Sequence, residues 1–268
     1  MVRDYIQLAR HLSRPLAVEP ATLSIFMDYL ASRHSSGVTN VAAPIKGEEK
    51  CAGVTVGSAI GADGKEIGTM LISGVLTPRI TMSAACGESF VSTNDAILEF
   101  NTLASKYSTI FLQVDSPGGS VTAVSELASA IKNSAAYVVG FTDTVAASGG
   151  YWILSACDEV VSTPSALVGS IGVYIPIMKR KDNPFSEVHY FSAGSKKLFG
   201  AQDVALSQEE SDYFQNSVNS TYEIFTSEVA KFRGKSVEEI KNTEAGVYDG
   251  REALGLLVDR LVNNIMEV

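Results

Sequence analysis

From Ile67 onward, apolar residues fall into short runs parted by polar turns, and the period of those runs alternates along the chain. Ile67–Leu76 is rich in strand formers. Asn94–Ser105 repeats Ile97, Leu98, Phe100 and Leu103 at helical spacing. Thr109–Val114 is a short apolar run, which predicts a strand buried on both faces. Val121–Ile131 reads as a helix, Ala136–Phe141 as a strand, Gly149–Ala156 as a helix and Glu159–Ser162 as a strand. Ile171–Ile177 and Glu187–Phe191 are predicted as further strands. A long helix opens after Ser207, where Ser207 and Glu210 have the spacing of a capping box. Its apolar positions Phe214, Val218, Phe225, Val229 and Phe232 give it one core-facing side. This β-α-β-α order predicts the α/β class, a parallel sheet covered by helices.

The first 66 residues lack that regularity. Ala21–Ala31 has a helical pattern with Pro20 before it, and residues 34–66 read as a mobile linker with at most one short strand. The expected division is an N-terminal helical and irregular arm over 1–66 and a regular domain over 67–268.

Composition narrows the function. The 21 Lys and Arg against 30 Asp and Glu give a formal charge of −9, which argues against nucleic-acid or anionic-membrane partners. Lys179-Arg180-Lys181 is read as a solvated basic loop. Cys51, Cys86 and Cys157 are scattered and form no C-x-x-C pair, so neither a zinc site nor a disulfide scaffold is expected. Cys157 lies in an apolar run and reads as a small buried hydrophobe. Charged residues interrupt the N-terminus, and no run reaches the roughly 18 apolar residues of a membrane span. The expectation is a cytoplasmic protein without cofactor, metal or membrane anchor.

Two strand-to-helix turns could carry chemistry. Ser116-Pro117-Gly118-Gly119 follows a strand, and its glycines permit close backbone approach to a ligand. Ala147-Ser148-Gly149-Gly150 leads into a helix. A serine there is most often only an N-cap, yet small neighbours leave room at this hydroxyl, and the Gly149 amide could meet an oxyanion. Such a serine needs a base. His11 and His34 lie in the irregular arm, and His189 lies in a predicted strand, where a structural role is the commoner one. A lysine could serve if burial keeps its amine neutral; the residues alone leave Lys196 and Lys197 both open.

Taken together, Ser116–Gly119, Ala147–Tyr151, Gly169–Val173, the Gly194–Gly200 loop and Val247–Leu254 resemble the signal peptide peptidase A family of serine peptidases. Within it the chain looks most like the capsid assembly proteases of lambda-type phages, in the Ala193–Gly200 lysine loop, Thr243–Tyr248 and Leu16–Ala21. The resemblance implies a crotonase/Clp-protease-like fold and a Ser–Lys dyad. Ser148 would be the nucleophile, Lys197 the general base and Ser170 the hydroxyl that orients its amine. Gly118 and Gly149 would supply oxyanion amides, with Gly119 as the alternative to Gly118. It also implies a homo-oligomer whose dyad can be shared between protomers, protein substrates such as scaffold or portal, and a place in prohead assembly. Where family members often have a proline shortly after the loop glycine, Gly200 is followed here by Ala201-Gln202-Asp203. The alternatives are a Clp-type triad of Ser148, His189 and an aspartate such as Asp249, and a non-catalytic assembly protein.

Overall fold

The computed structural model describes residues 16–18, 53–61, 63–79, 90–179 and 189–268. The strands, in chain order, are β1 (Leu16–Val18), β2 (Val54–Ile60), β3 (Glu66–Ser73), β4 (Val75–Thr77), β5 (Phe90–Ser92), β6 (Thr109–Asp115), β7 (Gly118–Ser120), β8 (Tyr137–Thr142), β9 (Val145–Ala147), β10 (Glu159–Ser162), β11 (Leu167–Gly169), β12 (Val247–Asp249) and β13 (Arg260–Leu261). The helices are α1 (Thr93–Ala104), α2 (Val124–Lys132), α3 (Gly149–Ser155), α4 (Gln208–Arg233), α5 (Val237–Lys241) and α6 (Gly250–Ala253). The main sheet has the order β13-β10-β8-β6-β3-β2, parallel except for the edge hairpin of β2 on β3. Two smaller sheets have the orders β1-β7-β4-β5 and β12-β11-β9.

The α/β reading is met, and its exceptions have physical causes. Ile110, Leu112 and Val114 of β6 are fully buried, but Thr109, Phe111 and Gln113 are only partly covered. Thus β6 has one dry face rather than two, and its outer face is sheltered by a small cluster in which Phe111 meets Phe141. Residues 171–179 are irregular apart from a bridge at Tyr174, and 189–192 are irregular too, so apolar runs there do not make the predicted strands. Glu187 and Val188 lie outside the described residues. Val54–Ile60 pairs with β3 along its whole length, although only Val54 of it is buried. Such an exposed edge strand leaves no apolar alternation to read.

Helix α3 is the hub. All seven of its residues are buried. Trp152 stacks on Phe225 of α4 with ring centroids 4.2 Å apart, and its Nε1 donates to Glu228 at 2.7 Å. Glu228 also accepts from Ser125 Oγ of α2 at 2.7 Å, and Tyr151 donates its hydroxyl to the Leu257 carbonyl at 2.8 Å. Cys157, just beyond α3, is buried as the sequence suggested, and burial pushes its thiol up to about 12. Among the described residues no helix is long and apolar enough to cross a membrane.

Candidate active site

The two glycine-rich turns lie side by side. The Ser116 amide donates to the Val145 carbonyl at 2.7 Å, and the Ala147 amide donates to the Ser116 carbonyl at 3.0 Å. Glycine is needed for this approach: a Cβ on Gly150 would sit 2.5 Å from the Ser116 carbonyl oxygen. These bonds fix Ser148 at the junction of β9 and α3, against the turn that starts β7.

Ser148 is 1% exposed and has φ 56° and ψ −122°, a backbone conformation that disfavours side chains. Residues held this way cost on the order of 1–3 kcal/mol and gather at functional sites. The common role of a serine at a helix start is absent here: the Ser148 side chain makes no capping bond. Its backbone is instead pinned by donation from its amide to the Gly169 carbonyl at 2.7 Å. Gly149 is buried beside it, and its N–H meets no backbone acceptor among the described residues. A buried donor of that kind is suited to a charge that appears only during reaction.

Gly118 adopts φ 95°, and its amide donates to Ser116 Oγ at 3.2 Å; Ser116 in turn donates to the Gly74 carbonyl at 2.7 Å. Its amide therefore already has an internal acceptor. Gly119 is held between Leu76 of β4 and Ala17 of β1. Ser170 directly follows β11, whose pairing of Gly169 with Ala147 brings Ser170 and Ser148 to the same end of two adjacent strands. Ser170 also has positive φ, 52°, and is held by donation of its amide to the Gly246 carbonyl at 2.7 Å. It lines a cavity of about 450 Å³ with Tyr174, Val218, Tyr222, Glu244 and Ala245.

Lys197 is elsewhere. It sits on an exposed run of turns, and among the described residues its ammonium has neither a hydrogen bond nor an ion pair. The neighbouring Lys196 lies 5.0 Å from the centroid of the Tyr213 ring, so the two candidate lysines differ in environment. Within one chain, then, Ser148, Ser170 and Gly149 come together while the lysine loop faces outward.

Glu210 ties that loop to the body of the protein, a role that the sequence did not reveal. Ser207 caps α4 by accepting from the Glu210 amide at 3.1 Å, but the Glu210 carboxylate does not reach back to complete the box. It accepts from Lys179 Nζ at 2.8 Å and from the Gly200 amide at 2.6 Å, and is 2% exposed. Lys179 also donates to the Ala201 carbonyl at 2.9 Å, so it is an anchor rather than a solvated charge. Burial alone would raise the Glu210 carboxyl; the Lys179 bond and charge and the Gly200 amide outweigh it and hold it below the usual range. Arg180 and Lys181 lie outside the described residues. Of the alternative triad, His189 is exposed, and Asp249 spends its carboxylate capping α6 through the Arg251 and Glu252 amides.

Two family models and several curated proteins match the chain. The Clp protease family model matches residues 76–168, which carry both glycine-rich turns. Protease 4 of Salmonella typhi is 35% identical over 55% of this chain and 25% of its own length. Putative protease MJ0651 of Methanocaldococcus jannaschii is 32% identical over 54% of this chain and 48% of its own. Capsid assembly protease C of Escherichia phage lambda is 26% identical over 94% of this chain and 62% of its own. The chain thus spans less than two thirds of each of these relatives. The Peptidase family S49 model matches residues 130–266, from the approach to the Ser148 turn through the lysine loop to the strand that ends the sheet, and the chain belongs to that family.

Proposed function

We propose that this protein is a serine endopeptidase in which Ser148 is the nucleophile and Lys197 of a neighbouring protomer is the general base. The observation that carries the reading is the strained, buried Ser148, whose hydroxyl makes no capping bond, beside a buried Gly149 amide that meets no backbone acceptor among the described residues. In the first step the neutral lysine amine takes the Ser148 proton as the oxygen adds to the peptide carbonyl. The Gly149 amide, with one from the Gly118-Gly119 segment, holds the oxyanion. Collapse expels the amine, which receives the proton from the lysine; water then adds to the acyl-enzyme by the same route and releases the acid. Ser170 is assigned to orient the amine.

A lysine is a base only when its amine is desolvated. A loop exposed in one chain meets that requirement when a second chain covers it, which is why the reading includes a homo-oligomer. Scaffold or portal segments of a phage prohead are the proposed substrates, in line with the capsid assembly protease of phage lambda and the head-tail preconnector protein of phage P21 among the relatives. The test is co-expression with the scaffold protein, followed by mass spectrometry. Wild type should cleave it; Ser148→Ala and Lys197→Ala should not. Cleavage by Ser148→Ala would refute the assignment.

A further inference from the structure

The free edge of β7 is not empty. Leu16–Val18 pairs with it antiparallel, Leu16 opposite Ser120, Ala17 opposite Gly119 and Val18 opposite Gly118. On its other side Leu16 bridges Tyr174: the Leu16 amide donates to the Tyr174 carbonyl at 2.8 Å, and the Tyr174 amide donates to the Leu16 carbonyl at 3.0 Å. An extended segment laid along one strand and bridged on its other side by a single residue resembles a peptide bound by strand addition. Its position relative to the nucleophile distinguishes it from an ordinary edge strand. A Cβ built on Gly118 would lie 2.1 Å from the Ala17 carbonyl oxygen, 2.9 Å from the Gly149 nitrogen and 3.0 Å from Ser148 Cβ. The Ala17 carbonyl, the nucleophile's side chain and the unused amide therefore surround one point. Ala17 is 0% exposed and part of the main hydrophobic cluster, so the place it fills takes a small side chain.

We propose that the β7 edge is the protein's peptide-binding cleft and that Leu16-Ala17-Val18 is its resident ligand, Ala17 standing where a substrate presents the residue whose carbonyl is attacked. This rests on Ser148 being the nucleophile. An incoming substrate is an extended peptide with a small residue at that position, and it must displace the chain's own segment. A site open only a tenth of the time binds about tenfold more weakly than a free one.

The test uses the full chain in a Ser148→Ala background, where nothing is cleaved, and a fluorescent peptide, Arg-Pro-Leu-Ala-Val-Glu-Pro, copied from residues 14–20. Adding Ala17→Arg or, separately, Leu16→Asp should empty the cleft. Peptide affinity by fluorescence polarisation should rise at least about tenfold over the parent. A peptide with arginine in place of alanine should not bind. Equal affinity in all three proteins, equal binding of the two peptides, or no binding at all would overturn the proposal. So would loss of the folded state in both variants by circular dichroism, since the segment would then be a structural strand. Casein hydrolysis with Ser148 intact separates this proposal from the one beneath it: if the binding results hold but no variant cleaves, the cleft stands and the nucleophile assignment fails.

Discussion

The Ser148 turn and the lysine loop are built in opposite ways. Around Ser148 the residues 146–155 are all buried, two turns are cross-bonded through Ser116, and the helix behind them is locked by Trp152 and Tyr151. The Gly194–Gly200 loop is mostly exposed and is tied back at its end by Glu210. On the proposed reading, one chain completes the electrophile-binding half of the site and leaves the base to be set by contact with another. A nucleophile without its base is inert, so such a division would delay activity until assembly.

The largest expected effect is at Ser148. Ser148→Ala should reduce scaffold cleavage at least about 10⁴-fold, or roughly 5 kcal/mol in the barrier. Ser148→Gly should be equally inactive and more stable by about 1 kcal/mol, because glycine accepts the positive φ. Urea unfolding monitored by circular dichroism checks the gain; no gain would mean that the turn is not strained.

Trp152→Ala removes the contact between α3 and α4 and should cost about 3–5 kcal/mol in the same unfolding measurement. Gly150→Ala should cost about 1–3 kcal/mol by forcing α3 off the Ser116 carbonyl, with a matching loss of cleavage. If cleavage survives Gly150→Ala unchanged, the two turns need not touch for function.

Glu210→Gln should cost about 1–2 kcal/mol at neutral pH, and it should alter the lysine loop selectively. The folded carboxyl titrates below the ordinary glutamate value of 4.5. Its stabilisation is therefore complete above that value and is lost as pH falls through the folded value. The stability difference between wild type and Glu210→Gln should shrink on acidification over that window. A constant difference would show that the Lys179–Glu210–Gly200 clamp contributes nothing through its charge.

Much of this was legible before any coordinates. Helices α1 and α4 and strand β6 follow from periodicity, although of the expected α4 face only Phe225, Val229 and Phe232 are buried; α3, β8 and β10 follow from short apolar runs that are buried almost throughout. The proximity of the Ser116 and Ser148 turns was implied only by motif order, since their contact is through backbone groups that carry no side-chain signature. Glu210 fits half of a capping box because the local pattern accounts for it fully; its partners lie ten and 31 positions away. Strand β1 was invisible because three residues have no period, and what holds Leu16–Val18 is the backbone of Gly118–Ser120. Residues 171–177 have the apolar content of a strand but form none, because it serves a cavity wall at Val173 and Tyr174 instead of a ladder.

The most direct test of a dyad shared between protomers is complementation. Ser148→Ala and Lys197→Ala chains, each inactive alone, are co-assembled in equal amounts and assayed on scaffold. A dyad made across the interface predicts recovery of about a quarter of wild-type activity, since that share of interfaces joins an intact serine to an intact lysine. No recovery from mixed assemblies, with wild type active in the same assay, would contradict it.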